Sequence, residues 1–290
     1  MPSSPQHVTA PSSPVLERHS LRSDCSSCFA LCCTALGFSR STDFALDKPA
    51  GAPCQNLASD FSCTIHDRLR PRGFRGCTVF DCFGAGQHVS QKLFGGTSWR
   101  TNPKTKQDMF AAFTTARQLH EMLWHLIEAT RRTYDPDLKE QATELRTTIE
   151  NALGGDAHDV LDLAVEPLHE QVRGVLMDVS EEVRVAYFAN GGDHLEDALT
   201  PGADLIGQNF RAQSLCGADL RGAYLIAADL RNCDLSGADL LGTDLRDALL
   251  HDADLSTALY LTQPQLNAAQ GNHSTGLPAD LVMPTHWHED

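Results

Sequence analysis

No apolar run in this 290-residue chain approaches the roughly 18 residues that a membrane-spanning helix needs. Basic residues are scarce: 23 Lys+Arg stand against 38 Asp+Glu, a formal charge of -15. A general nucleic-acid or anionic-membrane binder needs the opposite sign. An export signal is lacking too. The one apolar stretch near the start, CFALCCTALGF at 28–38, is broken by cysteines and has no small-residue cleavage site after it. Phe29-Ala30-Leu31-Cys32 puts a bulky leucine where a lipid-attachment motif needs a small residue. The expected compartment is therefore the reducing cytoplasm. No Ser-His-Asp, Cys-His-Asn or paired-carboxylate arrangement emerges from spacing, so no catalytic residue is assigned. Cys82-Phe83-Gly84-Ala85-Gly86 lacks the third glycine of a phosphate loop, and no strand-like run leads into it.

What is present is unevenly spread. Residues 1–100 hold 10 Lys+Arg and 7 Asp+Glu, 101–202 hold 9 and 19, and 203–290 hold 4 and 12. Eight of the ten cysteines lie between Cys25 and Cys82. These shifts divide the chain into a Pro/Ser-rich disordered tail (1–20), a cysteine-rich domain (21–100), an α-helical connector or bundle (101–200) and a repeat domain with a C-terminal cap (201–290). In the helical part, Phe110, Phe113, Leu119, Leu123, Leu126 and Ile127 recur at spacings near three and four. Asp135-Pro136 supplies an N-cap and first-turn proline for a second helix that stops at Gly154-Gly155. A third stretch begins near Asp156 and is punctuated by Pro167, and Ser180-Glu181-Glu182 predicts the start of a last helix ending at Asn190-Gly191-Gly192. A solvated antiparallel bundle is expected. His120 and His125, five apart, share no helix face and are taken as ordinary helix residues.

From 203 the sequence reads in fives: ADLIG QNFRA QSLCG ADLRG AYLIA ADLRN CDLSG ADLLG TDLRD ALLHD ADLST ALYLT. All twelve central positions, from Leu205 to Tyr260, are large and apolar, and Ala stands two places earlier in eight of the twelve. Five residues turn a helix through roughly 500°, so the leucines would form no stripe. In a flat strand an odd period would throw alternate leucines to opposite faces. The pattern works if the chain turns a corner every five residues and four sides close a square coil. It resembles the pentapeptide repeat family, whose fold is a right-handed quadrilateral β-helix. The resemblance implies about three coils over 203–262, with the leucines and alanines in the core. Asp204, Asp219, Asp229, Asp234, Asp239, Asp244 and Asp254 then point outward as turn supports rather than as a cation site. Arg211, Arg231 and His251 stack on one face, paired with flanking aspartates. Cys216 and Cys233 read as structural. Thr262, Gln263 and Pro264 predict a capping helix to Gln270, and the tail with Leu277, Leu281 and Trp287 should fold back over the last coil. His286 and His288 are read as a solvated tail.

The other cysteines run Cys25, Cys28, Cys32, Cys33, Cys54, Cys63, Cys77 and Cys82. A Cys-x2-Cys pair clips one tetrahedral ion, and eight thiols can supply two four-thiolate zinc sites or an iron–sulfur cluster with spare thiols. The adjacent Cys32 and Cys33 point different ways and suit separate sites. His66 or His88 could substitute for a cysteine. A disulfide framework would need an oxidising compartment. The run CxxCxxxCC, PCQNL, CTIHDRLRP and the closing Cys77 and Cys82 resembles the bacterial zinc- or iron-chelating cysteine-cluster family, with Ile65, Arg70 and Pro71 also matching. That resemblance covers roughly 21–95 and implies metal binding by the eight cysteines. Arg68, Arg70, Arg72 and Arg75 are expected to screen the thiolates, and Gly84 and Gly86 to let the chain turn tightly around them.

These readings describe a multi-domain α+β protein: a non-catalytic zinc- or iron-binding scaffold or adaptor whose solenoid meets a protein partner. The alternative is a redox factor or enzyme using an iron–sulfur or zinc centre. Mimicry of DNA toward gyrase, known among long pentapeptide repeat proteins, is set aside because three coils stand only about 14 Å tall.

Overall fold

The computed structural model describes residues 17–188 and 199–288, so most of the expected disordered tail and the expected helix end at Asn190-Gly191-Gly192 lie outside the described residues. The longest helix, α4 (Lys106–Arg132), is the element on which the others converge. Its N-terminal half buries one stripe, Met109, Ala112, Phe113 and Ala116; from Leu119 to Ala129 nearly every side chain is buried, so this half is enclosed all round. Helices α5 (Pro136–Gly154), α6 (Ala157–Leu161) and α7 (Val165–Phe188) cover one side of it. The short helices α1 (Leu31–Ala35) and α3 (Ala85–Gln87) of the cysteine-rich segment pack on another, and α2 (Arg75–Thr78) reaches the solenoid cap. One hydrophobic core runs without interruption from Leu21 to Trp287. The expected solvated bundle is thus corrected: α4 is the core strut between the thiol loops and the solenoid.

The local signals explain most helix limits. Asp135 accepts from the backbone N–H groups of Asp137 and Leu138, with Pro136 in the first turn, and Asp156 forms a capping box with Asp159. The expected break at Ser180 does not occur. Leu168, Val172, Val175, Leu176, Val179 and Val183 form one apolar stripe through that position, and burying it outweighs the capping tendency of serine. Pro167 falls in the first turn of α7, where its missing N–H breaks no helix bond.

Residues 203–262 coil with a register of twenty. Isolated parallel bridges join Asp204 to Tyr224, Asn209 to Asp229, Ser214 to Asp234 and Asp219 to Asp239, and the next coil repeats the pattern. Among the described residues each side is a single bridge rather than an extended strand. The corners follow from backbone chemistry. Every fifth residue from Gly202 to Asp252 has positive φ, and the chain places Gly, Ala, Asn or Asp there. The aspartates before each centre accept the backbone N–H two residues on, as Asp204 does from Ile206 (3.3 Å) and Asp234 from Ser236 (2.9 Å). Their role is turn support, as expected, but Asp239 does not point outward: it is fully buried. Small polar residues in the inner slot donate to the coil below: Cys233 Sγ to Phe210 O (2.8 Å) and Thr243 Oγ1 to Leu220 O (2.7 Å). Arg231 pairs with Asp229 (2.6 Å), which neutralises part of the basic strip.

Two features depart from the repeat. Tyr260, the twelfth centre, has φ +59, and its hydroxyl donates to Leu176 O of α7 (3.0 Å) while its N–H meets Glu128 of α4. It therefore ties the solenoid to the helices, unlike the eleven centres before it. Beyond it, α8 (Gln263–Ala268) starts in a Thr262–Gln265 capping box, and the chain resumes coiling through bridges Leu249–Gln270 and Asp254–Gly276. Each insertion lengthens the register, to 21 and then 22 residues, so the regular text ends while the solenoid continues for two more sides. Trp287 then packs on Gly271 and donates to Ala269 O (3.0 Å), folding the tail over the last coil. His286 is not a solvated residue: its Nε2 lies 2.9 Å from Ala269 O and 3.4 Å from Arg70.

Helix α7 covers the side carrying Asp219, Asp239 and Leu259. Asp239 is fully buried there; Oδ1 accepts from Leu241 N (2.8 Å), and Oδ2 makes no hydrogen bond, with Arg221 Nε 3.6 Å away. Burial raises its pKa from 3.8 to about 6. Because the folded value is raised, the cost is absent below about pH 4, where both states are protonated, and complete above about pH 6. Asp239→Asn is expected to raise stability at pH 7 by up to about 3 kcal/mol and to leave it unchanged at pH 4, measured by denaturant unfolding at the two pH values.

Candidate functional site

The eight clustered cysteines are held by loops clipped to short helices, and all are free thiols. Asp24 caps the turn Cys25–Ser27 by accepting from Ser26 N, and Cys28 closes that turn by donating to Cys25 O. Ala30, at φ +55, redirects the chain into α1, which carries Cys32 and Cys33. Cys54 N donates to Cys33 O (3.0 Å), and an antiparallel bridge pairs Leu57 with Cys63. Cys77 lies in α2, and Cys82 precedes two left-handed residues, Phe83 and Gly84, that turn the chain into α3. The expectation of a tight turn at the glycines is met at Gly84, φ +82.

Mutual electrostatics link the thiols into one chain of neighbours. Burial raises Cys25, with Cys82 and then Cys33 adding to it; burial raises Cys28 to about 11, with Cys82 and Cys25 adding to it. Cys28 and Cys82 converge on Gly86: a Cβ there would lie 2.7 Å from Cys28 Sγ and 3.5 Å from Cys82 Sγ. Burial raises Cys77 to about 12, with Cys33, Cys54 and Cys63 adding to it; Cys63 is raised by burial and by Cys33 and Cys54. The sulfurs of the adjacent pair lie 3.8 Å apart. Cys32 is raised by its hydrogen bond with Cys33 and by burial, with Cys33, Cys28 and Cys25 adding to it, whereas Cys33 is lowered to about 7 by hydrogen bonding with Cys32 and by Lys48. The thiols thus form one connected cluster with Cys32 and Cys33 at its junction.

Among the described residues no three His, Cys, Asp or Glu side chains are spaced to hold one metal ion as they stand. In donor chemistry the cluster suits zinc or iron: eight soft, reduced sulfurs.

Of the expected substitutes, His88 is engaged elsewhere, its Nε2 3.0 Å from Leu153 O and its ring against His120, whereas His66 is exposed beside Cys63, its N–H donating to Cys63 O. His120 Nδ1 is bonded to Phe83 O (2.7 Å), beside Cys82. The basic cluster does not screen the thiols as expected: Arg75 pairs with Asp247 (2.8 Å) and Arg70 donates to Asn267 O (2.6 Å), both on the solenoid and its cap. The cation beside the thiols is Lys48, which sequence reasoning passed over as a lone lysine in a loop. Gly86→Ala is expected to push the Cys28 sulfur aside and destabilise the thiol segment with the solenoid intact, as read by denaturant unfolding and circular dichroism.

Residues 203–240 and 223–258 match the model for Pentapeptide repeats, in eight copies. Over 272 residues the chain is 48% identical to "Uncharacterized protein YybG" of Bacillus subtilis (strain 168), covering 93% of this chain and 95% of that one. Similar solved structures include HetL of Nostoc sp. strain PCC 7120, 25% identical over 30% of this chain with a TM-score of 0.19; the chain spans 42% of its length. Another is alr5209 of Nostoc PCC 7120, 28% identical over 35% of this chain and 93% of that one, also at 0.19.

Proposed function

For a chain that belongs to the same family as YybG of Bacillus subtilis and carries pentapeptide repeats, we propose the role of a non-catalytic, metal-binding scaffold. Its thiol segment holds zinc or iron through Cys25, Cys28, Cys32, Cys33, Cys54, Cys63, Cys77 and Cys82, and its solenoid, read as a right-handed quadrilateral β-helix, meets a protein partner. The observation that supports the metal half is the clustering of eight free thiols in the segment from Cys25 to Cys82. Four thiolates on a divalent ion make a closed structural site that would cross-link the loops. The partner half rests on the repeat. One uncovered side presents Ile206 and Tyr224, each 50% exposed, beside Asp204 and Asp244. Large exposed apolar residues on a rigid coil suit a protein contact.

One observation favours a redox role instead: the Cys33 thiol, lowered to about 7, lies 3.8 Å from the Cys32 sulfur. Colour separates the readings, since an iron–sulfur centre absorbs in the visible and zinc does not.

Elemental analysis of protein purified reduced and without added metal is expected to find about two zinc or iron ions per chain. Replacing Cys28 and Cys32 together by Ser should release metal and loosen residues 21–95 while the repeat coils persist. Wild-type protein containing no metal would refute the reading.

A further inference from the structure

Cys32 and Cys33 are neighbours in the chain, and their sulfurs lie 3.8 Å apart. Both residues are partly exposed, within reach of a small molecule. They sit in α1, a turn of five residues with little local support. Its N-cap is Ala30 at φ +55, whose side chain caps none of the first N–H groups. A helix this short does not hold itself together.

The end of the turn is held from outside. The carbonyls of Cys33, Thr34 and Ala35 belong to the last turn of α1, where no N–H further along the helix can meet them. Each accepts from the loop at 48–54. Cys54 N–H donates to Cys33 O (3.0 Å), Lys48 Nζ to Thr34 O (3.3 Å) and Gly51 N–H to Ala35 O (3.2 Å). The Lys48 ammonium also donates to Pro49 O (3.2 Å) and Ala52 O (2.8 Å), so it ties its own loop to the turn. The loop therefore hangs on the backbone that carries the two adjacent thiols.

A bond between those thiols is incompatible with that backbone. The Cα atoms of a relaxed disulfide stand about 4.4–6.8 Å apart, whereas neighbours across a trans peptide are fixed at about 3.8 Å. Closing so small a ring twists the Cys32–Cys33 peptide out of helical geometry and carries the Cys33 carbonyl away from Cys54. We infer that Cys32 and Cys33 form a reversible oxidation site for low-molecular-weight disulfides, and that its closure releases the 48–54 loop. One sulfur attacks the small disulfide RSSR, forming a mixed disulfide and expelling RS⁻. The other attacks the protein sulfur of that mixed disulfide and expels the second RS⁻. The two thiol protons pass to the two leaving groups, so the pair gives up two electrons and RSSR becomes two RSH. A disulfide strained in this way is readily reduced again, which suits a regulatory bond rather than a structural one. The inference needs two thiols and no bound ion, so it does not rest on the metal-binding reading.

The test incubates full-length protein, purified reduced, with rising ratios of oxidised to reduced glutathione. Tandem mass spectrometry is expected to find the loss of two hydrogens localised to Cys32 and Cys33, reversed by dithiothreitol. Amide exchange at Gly51 and Cys54 should speed by about tenfold in the oxidised protein, the worth of one hydrogen bond. Cys33→Ser should abolish both effects. Lys48→Met should speed exchange at Gly51 before any oxidant is added, while the disulfide still forms. No oxidation in oxidised glutathione alone, bonds from this pair to Cys25, Cys28 or Cys54 instead, or oxidation with unchanged exchange at Gly51 and Cys54 would each overturn the inference. Metal content measured in the same samples keeps the two readings apart, since protein without metal overturns the metal-binding reading and leaves this one standing.

Discussion

Glu128 is a buried carboxylate in the middle of the molecule, and its partners come from two distant parts of the chain. Arg18, near the N-terminus, donates to it at 2.5 Å, and the backbone N–H of Tyr260, at the end of the third coil, donates at 3.2 Å. Arg18 also donates to Trp124 O (2.9 Å), lies 4.3 Å above the Trp124 ring and reaches Asp280 of the tail (3.5 Å). A buried ion pair stabilises a fold only when its remaining donors and acceptors are met, and removing one partner strands a charge. This network therefore fixes where the solenoid end and the N-terminal segment sit on α4. The thiol loops depend on that placement, because Phe83 packs on Trp124 (5.8 Å) and gives its carbonyl to His120, which sets the chain leading from Cys82.

The solenoid was the most legible part of the sequence because its signal is repeated and local. A corner every five residues demands a left-handed residue, a small inner residue and a turn-supporting aspartate at fixed offsets, so each coil restates the rule. Reading failed where one residue answers to distant packing. Ser180 has the chemistry of a cap, yet the apolar stripe of α7 carries it into a helix interior against Asp239. Tyr260 fills a repeat centre but serves α4 and α7. The partial fourth turn escaped notice because α8 and the loop after it shift the register by one residue each.

The thiol segment was legible in another way. Spacing identified eight clustered cysteines, but only the fold shows how they connect, with the Cys32 and Cys33 sulfurs 3.8 Å apart at the junction of the cluster. Spacing also misplaced the counter-charge. Four arginines close together looked like a screen, yet Arg70 and Arg75 dock the segment on the solenoid cap, and a single lysine in an unremarkable loop stands beside the sulfurs. Charge compensation inside a fold depends on which loops meet, and no local pattern records that.

The scaffold reading joins two physical economies. Thiol loops would gain rigidity from metal cross-links, and a coil that buries its leucines internally leaves sides free for a partner. The most direct measurement of the central claim is X-ray absorption at the metal edge of the protein as purified. The account predicts a first shell of four sulfurs at about 2.3 Å. A shell made mainly of nitrogen or oxygen would contradict it, because the metal would then sit away from the eight cysteines.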